Sequence, residues 1–145
     1  MEPLTFVDTN VWVYAYDASE PGKREAALRY LGGLDRPVIS AQVMTEFHAV
    51  ATRKLRPALD DESVRAVLED MAAIRVEVIN ADLVLDAHRL RIAHQLSTWD
   101  ALILAAAKAS GCERIASEDF QSGATLAGIE IENPFAHLAA RDDQR

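Results

Sequence analysis

The order of strand-like and helical segments predicts an α/β fold with three layers, in which helices cover both faces of a central, mostly parallel sheet. Short runs of β-branched and aromatic residues alternate with longer segments whose apolar residues recur at helical spacing. Small polar residues such as Ser40 and Asn80 stand directly after strand-like runs, where they are suited to cap the next helix. This alternation is typical of βαβ units and therefore of parallel strand pairing.

The individual elements follow from these signals. The predicted strands are the run around residues 6–7 and residues 37–39, 76–79, 114–117 and 129–131. Helices are predicted at 11–16, from the Ser19-Glu20-Pro21 start to the Gly32-Gly33 stop, from 41 to about 55, from 60–61 onward, after Asn80, and from the Ser97-Thr98 cap to Gly111.

Length and composition indicate a soluble, globular protein. The chain has 145 residues, of which half are hydrophobic and 26% are charged, so we predict a single domain over 1–140 and a disordered tail at 141–145. No apolar run approaches the roughly 18 residues of a membrane span, and the acidic start leads straight into a strand, unlike a secretory signal. Cys112 is the only cysteine, which excludes an internal disulfide. We therefore expect a cytoplasmic location.

The formal net charge is −8, which argues against a generally basic surface for holding nucleic acid. It does not exclude a nuclease, because acids gathered in one metal site make net charge a poor guide to the remaining surface. A strongly acidic pocket also suits a partner that carries arginines.

Two acids in the first half of the chain occupy positions that should face the interior or the edge of the predicted sheet. Asp8 follows a strand, where open α/β sheets bind their ligands, although it could equally cap the next helix. Glu46 lies within a helix, in line with Val43 and Val50, so it should point toward the protein. The alternative for Glu46 is a position at the edge of the apolar stripe, with its carboxylate reaching water.

Two further acids occur in the second half. Asp100 lies in the first turn of a nearly all-apolar helix, a position that the helix dipole favours by itself. Asp119 follows another strand, and it could be an ordinary loop acid. Glu118 is the alternative candidate for the fourth acid, because neither the alternating pattern nor the loop position decides between these two neighbours.

The four acids are predicted to converge at one sheet edge. Carboxylates at ~4–5 Å would repel by roughly 3–4 kcal/mol per pair at an effective dielectric near 20, so the cluster needs a cation or shared protons. Oxygen ligands select hard ions, Mg²⁺ or Mn²⁺. Such sites typically hydrolyse phosphodiester bonds.

The ordered set of motifs resembles a PIN domain, and more narrowly the VapC-type toxins of toxin–antitoxin pairs. The resemblance covers nearly the whole chain and is carried by Phe6-Val7-Asp8-Thr9-Asn10, by Ser40 to Phe47 around Glu46, by Asp100 to Ala107, and by Ser117-Glu118-Asp119-Phe120.

This resemblance implies a Mg²⁺- or Mn²⁺-dependent endoribonuclease that acts on RNA. The implied catalytic and metal-binding residues are Asp8, Glu46, Asp100 and Asp119, with Asn10, Ser97 and Ser117 as supporting polar residues. It also implies a homodimer and a cognate antitoxin that binds the cleft.

Two other functions stay open from the sequence. Haloacid-dehalogenase-like phosphatases also begin with a strand and an aspartate, but they place a second acid where this chain has Asn10. A non-catalytic receiver or adaptor module would use the acids only to bind Mg²⁺.

Other residues near the motifs have weaker signals. Trp12 and Trp99 could stack an RNA base, although packing is the commoner role of large aromatics near a cleft. The basic run 53–56 could follow a phosphate backbone or simply end a helix in water. The four histidines share no metal-binding spacing.

Overall fold

The computed structural model describes residues 3–138, and the predicted tail at 141–145 lies outside them. Its helices are α1 (Thr9–Ala15), α2 (Pro21–Gly32), α3 (Ala41–Arg53), α4 (Asp61–Ala72), α5 (Ala81–His94) and α6 (Thr98–Ala109). The strands are β1 (Thr5–Val7), β2 (Pro37–Ser40), β3 (Arg75–Glu77), β4 (Arg114–Ala116), β5 (Thr125–Leu126) and β6 (Ile129–Glu132).

The strands form one sheet in the order β3-β2-β1-β4-β6-β5. All neighbours are parallel except β5, which pairs with β6 in antiparallel fashion. Phe6 lies opposite both Val38 and Ile115, and Ile115 lies opposite Ile131. These side chains are at most 1% exposed, so the centre of the sheet lies in the core. The predicted mixed α/β fold with a mostly parallel sheet is confirmed.

The direction of each crossover connection determines which face of the sheet a helix covers. Connections from β1 to β2 and from β2 to β3 step one way along the sheet, whereas the connection from β3 to β4 returns the other way. Because parallel crossovers are right-handed, α1 to α4 cover one face and α5 with α6 cover the other. The packing of α1 on α2 and α3, and of α5 on α6, agrees with this arrangement.

Element boundaries differ from the predictions in a few places. The strand predicted at 76–79 is β3, which ends at Glu77; Val78 lies beyond it and is 70% exposed. Helix α1 begins two residues before the predicted start because the Asp8 carboxylate caps it. The β5 strand was not predicted, because two residues are too few to show alternation. It joins β6 through a turn in which Ala127 and Gly128 both have positive φ, 51° and 80°.

Candidate functional site

The reversal of crossover direction lies between β1 and β4, and this is where an open parallel sheet leaves a crevice at its carboxyl edge. Strand β1 delivers Asp8 to that edge and β4 delivers Ser117, while α3 and α6 begin nearby on opposite faces. Asp8, Glu46, Asp100 and Asp119 all line one cleft of about 400 Å³ there. The predicted convergence of the four acids is therefore what the fold produces.

Asp8 is the most buried of the four acids, at 4% exposure. Its Oδ1 accepts a hydrogen bond from the Thr9 amide at 2.7 Å, and its Oδ2 accepts one from the Ser117 hydroxyl at 2.7 Å. Asp8 thus caps α1 and also lines the cleft, so its capping role does not exclude a role in the site. Burial, with smaller contributions from Asp119 and Glu46, raises its pKa to about 7 despite these hydrogen bonds.

Glu46 is half-buried on the inner face of α3, as its spacing predicts. Its Oε1 accepts a hydrogen bond from Gln42 Nε2, one helical turn earlier. Burial raises the pKa of Glu46, and the charges of Asp100 and Asp119 raise it further. The carboxylate therefore lies among other acids and does not face bulk water alone.

Asp100 is held at the cleft by the start of α6. The Ser97 hydroxyl caps the helix by accepting from the Asp100 amide at 3.1 Å. The side chain of Asp100 is half-buried, and burial followed by repulsion from Asp119 raises its pKa. Buried apolar residues of α6 follow, Ala101 and Ile103 to Ala107, so the helix start opens into the cleft as predicted.

The loop after β4 separates the two neighbouring acids. Glu118 forms an ion pair with Lys23 at 2.6 Å. Asp119 lies at the exposed mouth of the cleft, where its Oδ2 accepts from Asn10 Nδ2 at 3.2 Å. Because Glu118 has a cationic partner and Asp119 does not show one among residues 3–138, the geometry favours Asp119 as the fourth acid.

Asn10 and Ser117 connect the first and last acids. Asn10 Oδ1 accepts from the Glu118 amide at 3.2 Å, while its Nδ2 also donates to Ser117 Oγ at 3.4 Å. Ser117 Oγ accepts from the Asp119 amide at 3.0 Å and donates to Asp8. Asn10 and Ser117, two of the three supporting polar residues predicted from the sequence, therefore form one network that orients Asp8 and Asp119. The third, Ser97, accepts from the Asp100 amide instead.

The donor set of the cleft fits a hard divalent cation. Its candidate ligands are carboxylate oxygens, with no histidine or cysteine among the described lining residues. As the side chains stand, no three His, Cys, Asp or Glu residues within 3–138 form a group that could hold an ion. Binding a cation would therefore require one or more of the acids to change rotamer, and the attraction of the ion would have to outweigh the mutual repulsion of the acids.

Two residues that bond to acids of the cleft, Gln42 and Lys23, were not predicted. Gln42 is 7% exposed, and its Nε2 bridges Glu46 and the Trp99 carbonyl oxygen, at 3.3 Å from the latter. Its position four residues before Glu46 was the available signal. Nothing in the sequence indicated a role for Lys23, because its partner Glu118 is 95 residues away.

Residues 3–138 contain no candidate membrane span, since every helix there is too short or too polar to cross a bilayer.

Comparisons with known proteins agree with this geometry. The PIN domain family model matches residues 5–122. A toxin–antitoxin complex from Klebsiella pneumoniae has a TM-score of 0.69 at 19% identity, covering 90% of this chain and 97% of that one. The Mycobacterium tuberculosis toxin VapC20, described as cleaving the sarcin–ricin loop, gives 0.63 at 22% identity, with coverages of 87% and 98%.

A third structure, DNA-bound VapBC from Salmonella typhimurium, gives a TM-score of 0.63 at 20% identity, with coverages of 92% and 99%. At these identities the likeness concerns the fold. Comparison with curated protein sequences gives no significant match. Since the family model spans most of the sequence and the acids meet where the fold predicts, the chain belongs to the PIN domain family.

Proposed function

We propose that this chain is a Mg²⁺- or Mn²⁺-dependent endoribonuclease and the toxin of a toxin–antitoxin pair. The observation that carries the proposal is the meeting of Asp8, Glu46, Asp100 and Asp119 in one cleft of a PIN-domain fold. The similar VapC and VapBC structures support the toxin assignment.

The four acids would hold the cation. A bound divalent ion would lower the pKa of a water molecule and offset negative charge on the scissile phosphate. Asp8 and Asp119 would be kept in position by the Asn10 and Ser117 side chains, which fix one oxygen of each carboxylate. Gln42 would orient Glu46 in the same way from within α3.

Two alternatives are less well supported. In a haloacid-dehalogenase-like phosphatase the position of Asn10 would carry an acid, whereas here its amide joins the loop after β4 to the site by donating and accepting. A receiver or adaptor module would bind Mg²⁺ without cleaving RNA. Neither alternative accounts for the PIN family match.

Cleavage of a structured RNA by the purified protein tests the proposal. We expect cleavage with Mg²⁺ or Mn²⁺, its loss with EDTA, and a loss of at least 100-fold in Asp8→Asn, because the most buried ligand is removed. Asp82→Asn, at an exposed position in the first turn of α5, is the matched control and should cleave normally. Cleavage that survives both chelator and Asp8→Asn would refute the metal-dependent mechanism.

The partners follow from the same proposal. The acidic cleft would accept an arginine-bearing segment of a cognate antitoxin, and the protein would be a homodimer. Co-expression with the neighbouring open reading frame should yield a stable complex that inhibits cleavage, and light scattering should give twice the chain mass. A monomer would contradict the dimer, and a neighbour that neither binds nor inhibits would contradict the antitoxin pairing.

A further inference from the structure

Trp99 is a large aromatic residue left in solvent beside the catalytic cleft. It is 64% exposed and immediately precedes Asp100 in the first turn of α6. A tryptophan normally buries much of its large apolar surface, and each Å² removed from water stabilises the folded protein by roughly 25 cal/mol. Single exposed apolar residues are common, so exposure alone assigns no role to Trp99.

The surroundings of Trp99 distinguish it from other exposed apolar residues. It lines the catalytic cleft and also a neighbouring apolar trough, which we define by Ala41, Thr45, Ala49, Ile79 and Leu102. Its backbone carbonyl accepts from Gln42 Nε2, the same group that bonds Glu46. The main chain at Trp99 is therefore held next to Asp100 and linked through Gln42 to Glu46, at the boundary between a charged and an apolar surface.

The charge of the cleft limits how a nucleic acid can be held. Six acids line it, Asp8, Asp17, Glu46, Asp100, Glu118 and Asp119, against a single lysine, Lys54, among the described lining residues. Phosphate contacts, which usually dominate nucleic-acid affinity, are thus scarce at this site. The π face of a base carries no net charge, so stacking can contribute affinity where phosphate attraction cannot.

We propose that Trp99 is a stacking platform for an unpaired base of a single-stranded RNA segment, next to the scissile phosphate at the cation that the acids would hold. This inference rests on the proposed nuclease function and adds the means of positioning the substrate. The apolar trough continues the platform and accommodates the rest of the base or its neighbour. Trp99 is a positioning residue in this scheme and takes no part in bond cleavage.

Fluorescence of Trp99 tests the proposal directly. Trp12→Phe removes the other tryptophan, which is partly buried and donates to the Val7 carbonyl oxygen. Asp8→Asn in the same protein prevents cleavage, and EDTA keeps the measurement independent of metal. We expect saturable quenching by a single-stranded RNA decamer and at least fivefold weaker binding of an abasic ribose–phosphate oligomer of equal length.

Substitutions provide the second measurement. In the Asp8→Asn protein, Trp99→Ala should weaken RNA binding by about 5- to 150-fold, which corresponds to the ~1–3 kcal/mol of one stacked base. Trp99→Phe should restore most of the affinity, and Leu85→Ala, at a 69% exposed position on α5, should not change it. In the active protein, Trp99→Ala should raise KM more than it lowers kcat.

Three results would overturn the stacking role: equal binding of the abasic oligomer, unchanged affinity of Trp99→Ala, or a Trp99 signal that responds to an antitoxin peptide but to no RNA. The last result would make this surface a protein-docking site. Failure of the nuclease proposal is separately visible, since base-dependent quenching without any cleavage would leave the platform in place. Cleavage without base-dependent quenching would support the nuclease function and refute the stacking role of Trp99.

Discussion

At the scale of single residues, burial of the Asp8 carboxyl links the stability of the metal-free protein to pH. Burial raises the pKa of the Asp8 carboxyl to about 7 in the folded protein, from 3.8 for an exposed aspartate. The folded protein therefore keeps a proton that the unfolded chain releases, and stability should fall as pH rises from about 4 to 7. The full difference corresponds to about 4 kcal/mol.

Comparison of wild type with Asp8→Asn isolates this contribution. Urea unfolding in EDTA between pH 5 and pH 8 should show the wild type losing stability and the variant losing clearly less. Glu46 and Asp100, whose pKa values are also raised, contribute in the same direction in both proteins, so the difference between the two profiles reports Asp8 together with its coupling to Glu46. Parallel pH profiles would mean that Asp8 is not protonated in the fold at neutral pH.

Asp100 provides a second residue-level prediction. Its carboxylate is half-buried and repelled by Asp119, while the cap of α6 is made by Ser97 and not by the Asp100 side chain. In metal-free buffer at neutral pH, Asp100→Asn should therefore raise the melting temperature by a few degrees. A clear decrease, measured against Asp82→Asn, would show that the carboxylate stabilises the helix start through the dipole.

The residues themselves show what a sequence can and cannot predict. The sequence could predict which four acids meet in the cleft, because strand ends, helix starts and helix faces determine where a side chain is attached. These acids are Asp8, Glu46, Asp100 and Asp119. The choice between Glu118 and Asp119 could not, because it depends on the Lys23 ion pair formed across 95 residues. The exposure of Trp99 was equally inaccessible, since rotamer and packing decide whether a tryptophan beside a cleft is covered.

At the scale of elements, helix α3 extends the cleft beyond the acids. Glu46, Val50 and Lys54 follow one another at four-residue spacing, and all three line the cleft. Eight residues of helix separate Glu46 from Lys54 by about 12 Å along the axis. This distance would place the lysine near a phosphate that flanks the cleavage site, which favours the nucleic-acid role over a merely solvated helix end.

Replacement of Lys54 tests this arrangement of α3. Lys54→Gln should weaken RNA binding to a similar degree for all sequences and reduce the slope of log K against log salt by about 0.7, the value for one single-strand phosphate contact. Arg65→Gln, on the exposed side of α4, is the matched control. An unchanged salt slope would leave Lys54 as a solvated residue at the end of the helix.

Elements were predictable to different degrees for physical reasons. Capping residues such as Ser40, Asn80 and Ser97 marked helix starts well, because each accepts a bond from the main-chain amide three residues on. Strand ends were less certain, since β3 stops at Glu77 although the alternating pattern continues. Strand β5 exists through its pairing with β6, which no local pattern of two residues can show.

At the scale of the whole molecule, the sheet order brings four positions that are distant in the sequence into one cleft, so binding of the proposed cation there should stabilise the folded protein. Binding to the folded state alone stabilises it by RT ln(1 + [L]/Kd), about 2.7 kcal/mol at one hundred times Kd. Mg²⁺ or Mn²⁺ should therefore raise the melting temperature of the wild type, because the ion also relieves repulsion among acids that the fold has already brought together. Asp8→Asn should lose most of this gain, and Asp82→Asn should keep it. An equal rise in all three proteins would show that the ions act on the acidic surface in general and not on the cleft.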